Sequence, residues 1–275
     1  MKNFKIFLSK NFEIHYIKIG DFKLDGGAMF GTVPKTIWEK FYQPDEKNRI
    51  LLSQNVLLIF SKNFKFLIEP GCGNKWDKKR KEIFEFKGGI EEFDYFDLRK
   101  INYVSFTHLH FDHAGGATKI FENKIVPTFE NAIYLIRKEE IEDALNPNER
   151  TKASYLKEDF LPIIENKKFI EIKEDGEIVE GIKVIRTGGH TRGHVIFLID
   201  DKFLFFGDLV PTSKHIHLPY IMAYDNFPLD TLLKRKEIYE YSIQNKIQVF
   251  FPHDVDLKTG YIRFENEKFF LDEIS

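Results

Sequence analysis

A single cysteine, Cys72, stands in 275 residues. One thiol excludes an internal disulfide and a multi-cysteine zinc knuckle, and as a nucleophile it would need a base beside it, so Cys72 reads as a loop or packing residue. Apolar runs approaching ~18 residues are missing, which excludes a membrane-spanning helix. The stretch Met1 to Leu8 is too short an apolar segment for a signal peptide, and the expected location is cytoplasmic. Excess charge of either sign is absent too. Lys plus Arg number 41 against 43 Asp plus Glu, a net charge of −2, which argues against a general nucleic-acid or anionic-membrane binder and for small-molecule chemistry. Repeats, low-complexity tracts and Pro-rich or Gly/Ser-rich linkers are missing. With 43% apolar residues the chain can bury a sizeable core, so residues 1–275 read as one α/β domain.

Histidine is concentrated. The run Thr107-His108-Leu109-His110-Phe111-Asp112-His113-Ala114-Gly115-Gly116 holds four potential metal ligands within six residues. It follows Tyr103-Val104-Ser105-Phe106, which reads as the end of a buried strand. Residues two apart in an extended chain point the same way, so His108 and His110 can reach one cation. Asp112 and His113 come where Ala114-Gly115-Gly116 lets the backbone turn and a helix begin, which redirects them toward a second cation. The carboxylate also suits the amino end of that helix.

A two-metal centre needs more donors, and three apolar runs end in them. Lys183-Val184-Ile185-Arg186-Thr187 leads into Gly188-Gly189-His190, and His190 would join His108 and His110. Phe203-Leu204-Phe205-Phe206 leads into Gly207-Asp208, and the Asp208 carboxylate can give one oxygen to each metal. Val249-Phe250-Phe251 leads into Pro252-His253, which would complete the set with Asp112 and His113. Imidazole and carboxylate without thiolate suit two divalent ions, zinc first, with manganese or iron as alternatives.

These seven positions resemble the metallo-β-lactamase superfamily. Asp25-Gly26-Gly27-Ala28-Met29-Phe30-Gly31-Thr32-Val33-Pro34-Lys35, then Asp45 to Ile50, and Asp208-Leu209-Val210-Pro211-Thr212 through Ala223-Tyr224-Asp225 resemble its quorum-quenching, N-acyl homoserine lactonase-like branch. The resemblance implies an αββα sandwich of two mixed sheets flanked by helices, with the metals at one edge, and it suggests a homodimer. Two departures stand out. Where the branch carries an aspartate-containing turn, this chain reads Glu69-Pro70-Gly71-Cys72-Gly73-Asn74. Where it carries a tyrosine three residues past the bridging aspartate, this chain has Pro211, leaving His215, Tyr220 or Tyr224 to offer a hydrogen bond.

The expected chemistry is hydrolysis of a small lactone or related ester. Two cations about 3.5–4 Å apart share and acidify a water. Asp112 is the expected proton carrier to the leaving oxygen, and His215 a substrate contact. A thioesterase or phosphoester and organophosphate hydrolase is the alternative on the same site, since one fold hosts many reactions. An iron-dependent oxidoreductase is disfavoured because the flavodiiron relatives have glutamate where this chain keeps His110. A metal-binding scaffold without activity is the remaining reading.

The coarse pattern predicts strands near 4–8, 12–19, 55–60, 64–68, 103–106, 132–136, 169–173, 183–187, 195–199, 202–206 and 248–251. Helices are expected near 77–86, 114–121, 137–145, 152–160 and 229–244. His194 should help build the turn of His190, His217 should be a loop residue, and His15 structural. Met29, Phe30 and Phe111 are candidates for an apolar substrate cleft.

Overall fold

Alternation along the strands builds two opposed sheets. In the computed structural model, which describes residues 4–92 and 94–274, the strand Val195–Ile199 turns Val195, Phe197 and Ile199 one way and Ile196 and Leu198 the other. Phe66 and Ile68 of Lys65–Ile68 likewise oppose Leu67. Strands apolar on both faces must be covered on both. The inner layer joins Leu57, Ile59, Phe66 and Ile68 of one sheet to Val184, Phe197, Phe205 and Phe250 of the other. Helices Lys138–Leu145 and Lys157–Glu165 cover the first sheet's outer face with Ile141, Ala144, Phe160 and Ile163. Helix Pro228–Asn245 covers the second with Ile238 and Tyr239. This is the expected αββα layering.

The first sheet runs in the order Phe4–Leu8, Glu13–Asp25, Arg49–Phe60, Lys65–Ile68, Tyr103–Ser105, Ile133–Arg137, Phe169–Ile172, its last four strands parallel. The second runs Gly176–Val179, Ile182–Arg186, Val195–Ile199, Phe203–Phe205, Gln248–Phe250, Thr259–Glu265, Lys268–Glu273. Among the described residues only Phe203–Phe205 and Gln248–Phe250 pair in parallel there. Their register sets Phe205 against Phe250, so Asp208 and His253, each three residues further on, leave the sheet at the same level. A rigid frame thus presents its loops together.

Three expectations are corrected. The helix expected at 114–121 is a short helix Phe111–Ala114 followed by the hairpin Thr118–Phe121 with Lys124–Pro127. Glu122 and Asn123 turn it with φ of 48° and 61°, the left-handed pair that a two-residue hairpin loop demands. Gly115 serves close packing instead of a helix start, since a Cβ there would sit 2.0 Å from the Cys72 carbonyl oxygen. The helix expected from 152 begins only at Lys157. Strands at Gly176–Val179, Thr259–Glu265 and Lys268–Glu273, and short helices Gly26–Phe30 and Lys35–Trp38, lie outside the expected set. Among the described residues no helix is long and apolar enough to cross a membrane.

Candidate metal centre

Leu109 points into the core behind the first sheet, so its neighbours His108 and His110 turn together to the opposite side, as alternation requires. Their rings lie 4.5 Å apart at 79°. His110 then caps the helix Phe111–Ala114, which carries Asp112 and His113 in its single turn. The Phe111 N–H is anchored on the Ser154 carbonyl at 3.0 Å.

The downstream donors arrive from the second sheet. His190 Nε2 lies 3.1 Å from His110 Nδ1. Gly207 has φ of +50°, and a Cβ there would lie 2.5 Å from Thr107, a turn and an approach that suit glycine and deliver Asp208 to the cluster. His253 belongs to a segment stitched between the sheets: Asn55 N–H donates to the Pro252 carbonyl at 2.8 Å and Ser53 N–H to that of His253 at 3.2 Å.

All seven expected donors converge. One group is His108, His110 and His190, and the other is Asp112, His113, Asp208 and His253, with the donor atoms of each group within 4.8 Å of one another. Asp208 spans both. Its Oδ2 lies 3.3 Å from His190 Nε2, and its Oδ1 lies 3.2 Å from His253 Nε2 and 3.4 Å from His113 Nε2. Asp112 Oδ2 is 3.6 Å from both of those nitrogens. A tetrahedral ion with bonds of about 2.0–2.1 Å has ligand-to-ligand edges of about 3.4 Å, so the spacing fits bound cations. The buried His108 Nε2 and Asp208 Oδ1 find no hydrogen-bond partner, although buried polar atoms normally do.

The outer nitrogens are held by the protein, which fixes the tautomers. His190 Nδ1 lies 2.8 Å from the buried Asp225 carboxylate. His253 Nδ1 donates to the Ser53 carbonyl at 2.9 Å. Thr107 hydroxyl donates to Glu69 and receives His108 Nδ1–H at 3.0 Å. Glu69 also lies 2.9 Å from His113 Nδ1. Glu69 thereby supplies a carboxylate from the turn where the sequence departs from the branch, and it does so with φ of +62°, a strained conformation typical of functional sites.

Electrostatics follow from crowding. Burial, then the neighbouring His113, His110 and His190, holds His108 well below the ordinary imidazole pKa. Burial alone would raise Asp208, but His113, His190 and His253 outweigh it and hold the carboxyl well below its usual range. Burial would lower His113, yet Glu69, Asp112 and Asp208 raise it.

A cavity of about 320 Å³ opens over the cluster. His110, Asp112, His190, Asp208 and His253 line it, beside Leu24, Met29, Phe84, Phe111, Met222 and Tyr224. The aromatic and aliphatic side chains belong to a packed cluster that also contains Phe22, Phe30 and Trp38.

A family model described as the metallo-beta-lactamase superfamily matches residues 49–260. The chain belongs to this superfamily. Among curated superfamily relatives, an N-acyl homoserine lactonase of Bacillus sp is 32% identical over 164 residues, covering 58% of each chain. The chain thus spans a little over half the length of that relative. A probable metal-dependent hydrolase from Staphylococcus aureus is 30% identical with a TM-score of 0.84, covering 98% of this chain and 100% of the other. AidC, described as a dizinc quorum-quenching lactonase in complex with a product, shares the fold at 18% identity and a TM-score of 0.82, covering 99% of this chain and 98% of its own.

In this superfamily member, other expected residues fall differently. His215 is fully buried and does not line the cavity. Its Nδ1 faces Thr212 Oγ1 at 2.8 Å and its Nε2 the Met29 carbonyl at 2.9 Å, with Phe30 stacked on the ring at 4.5 Å. Burial and the nearby Arg235 push its pKa down to about 3. With both nitrogens engaged, this neutral ring meets the cavity wall at the Met29 carbonyl. Of the three expected donors, Tyr224 alone lines the cavity. Phe30 packs behind the wall, whereas Met29 and Phe111 form part of it. His194 braces Asp208 as well as its own turn, since its Nε2 accepts the Asp208 N–H at 2.9 Å. The sequence reading gives no role to Asp225 or Glu140. Asp225 ends the Ala223-Tyr224-Asp225 segment that resembles the lactonase-like branch, and Glu140 lies on the stripe of helix Lys138–Leu145 that buries Ile141 and Ala144, a periodicity that is a usable signal.

Proposed function

We propose that residues 1–275 act as one dinuclear metal-dependent hydrolase domain that opens a lactone or related ester bearing an apolar chain. The observation that carries this reading is the reach of Asp208 across both donor groups, 3.3 Å to His190 and 3.2 Å to His253, on the floor of a largely apolar-walled cavity. His108, His110 and His190 would hold one ion, Asp112, His113 and His253 the other, and Asp208 both. Nitrogen and oxygen donors without thiolate favour zinc. Two divalent ions there would supply an acidified water and polarise a carbonyl oxygen.

The chain's own residues do the rest. Asp112 is the most open of its group at 8% exposure and lines the cavity floor. That position lets its carboxylate take the proton released on attack and return it to the leaving alkoxide. Tyr224 faces the same space and offers the hydroxyl that Pro211 cannot. Met29, Phe111 and Met222 exclude water and receive the apolar chain. This apolar part of the wall suits the acyl chain of a lactone or ester.

The test is a panel of acyl-homoserine lactones, thioesters and phosphoesters given to zinc-loaded protein. Lactones should be turned over fastest, and Asp208→Asn should lower kcat/KM by more than the roughly 10–100-fold that follows loss of an outer hydrogen-bond partner. Faster phosphoester cleavage, or an unaffected Asp208→Asn variant, contradicts the reading.

A further inference from the structure

Glu140 lies outside the donor cluster, near the start of helix Lys138–Leu145, and only 1% of its surface is exposed. Its carboxylate accepts three hydrogen bonds, all from neutral groups. Leu109 N–H, between His108 and His110, donates to Oε2 at 3.0 Å. Tyr155 hydroxyl donates to the same oxygen at 3.1 Å, and the Tyr155 ring lies 4.9 Å from that of His110. Thr191 hydroxyl, next to His190, donates to Oε1. A buried carboxylate persists only where such bonds replace its water.

These contacts share one destination. The loop of His108 and His110 leaves the first sheet and that of His190 leaves the second, so Glu140 ties together two loops that no covalent path of fewer than 80 residues connects, His110 and His190 being that far apart in sequence. The second donor group is supported by the Ser53 carbonyl on His253 and by Glu69 beside His113, Glu69 also reaching His108 through Thr107. We propose that Glu140 is a positioning residue for the first donor group, His108, His110 and His190, and sets the affinity of that metal position independently of the other. The assignment rests on the two-ion reading above.

The experiment titrates zinc into metal-free protein by calorimetry, with metal content counted after dialysis and folding checked by circular dichroism. The unmodified protein should bind two equivalents. Glu140→Leu should weaken one equivalent by about 10–100-fold and leave the other unchanged. Glu140→Gln should restore most of the loss, because its amide oxygen can still accept from Leu109 and Tyr155. Tyr155→Phe, which removes one bond without stranding a charge, should weaken the same equivalent to a smaller degree and keeps the test open should Glu140→Leu not fold. Equal weakening of both equivalents, or no weakening in any of the folded variants, overturns the assignment while leaving the two-ion reading standing. Fewer than two equivalents in the unmodified protein overturns both.

Discussion

His113 and His253 bring their Nε2 atoms to 3.2 Å of each other. His253 Nδ1 donates to the Ser53 carbonyl on the far side of its ring, and His113 Nδ1 lies 2.9 Å from the Glu69 carboxylate. A cation bound at the second donor group would engage both nitrogens at once. Metal removal should therefore destabilise the fold as well as the site. At free zinc near 1,000 times its dissociation constant, each ion adds about 4 kcal/mol, which for a chain of this length is a melting shift of roughly 8–16 °C. Scanning calorimetry with chelator, then with zinc restored, reads this directly; an unchanged Tm contradicts it.

Arg150 stands in the wall shared by the cavity over the donors and a second of about 310 Å³, together with Thr151 and Asn226. Its guanidinium bridges to the carbonyls of Ala223 at 2.6 Å and Asp225 at 3.0 Å and to the Asn226 side chain at 3.0 Å. Arg150→Ala should join the two spaces. Acyl chains too long for the native cavity should then gain in kcat/KM relative to short ones, measured across a chain-length series. An unchanged length profile would show that the arginine does not partition the cavity.

Lys75 and Asp159 form a buried ion pair at 3.0 Å. Lys75 also donates to the carbonyls of Gly115 and of Thr118, the latter at 2.9 Å, just past the helix that carries Asp112 and His113. Lys75→Met strands a buried carboxylate and should cost about 3–5 kcal/mol in urea unfolding, whereas the Lys75→Met, Asp159→Asn double variant should recover part of it. Additive losses would argue against the pairing.

Burial, opposed by Lys75, raises the Asp159 pKa from 3.8 to about 6. A carboxyl raised by folding binds its proton more tightly in the native state, so its contribution is fully present below pH 3.8 and is lost as pH rises through about 6. The stability of the unmodified protein relative to Asp159→Asn should accordingly fall across that window and stay level above it. Paired urea titrations at each pH check the slope, and a difference that rises with pH contradicts it.

The candidate metal donors were legible because their chemistry is local. His108, His110, Asp112 and His113 sit in one short run, and His190, Asp208 and His253 each end an apolar strand. The layered fold was legible for a similar reason, since Val195–Ile199 and Phe203–Phe205 are apolar on both faces. What escaped depends on distance and register. Asp225 and Glu140 act on histidines contributed by other elements, and His215 differs from the donors only by where Met29 and Thr212 meet it in space. The hairpin after Ala117 was hidden because Gly115 is needed for contact with Cys72, a demand that no neighbouring residue reveals.

Anomalous diffraction from zinc-soaked crystals addresses the central claim most directly. The account predicts two peaks about 3.5–4 Å apart, one enclosed by His108, His110 and His190, the other by Asp112, His113 and His253, with an Asp208 oxygen toward each. A single peak, or an Asp208 carboxylate turned away from both, would contradict it.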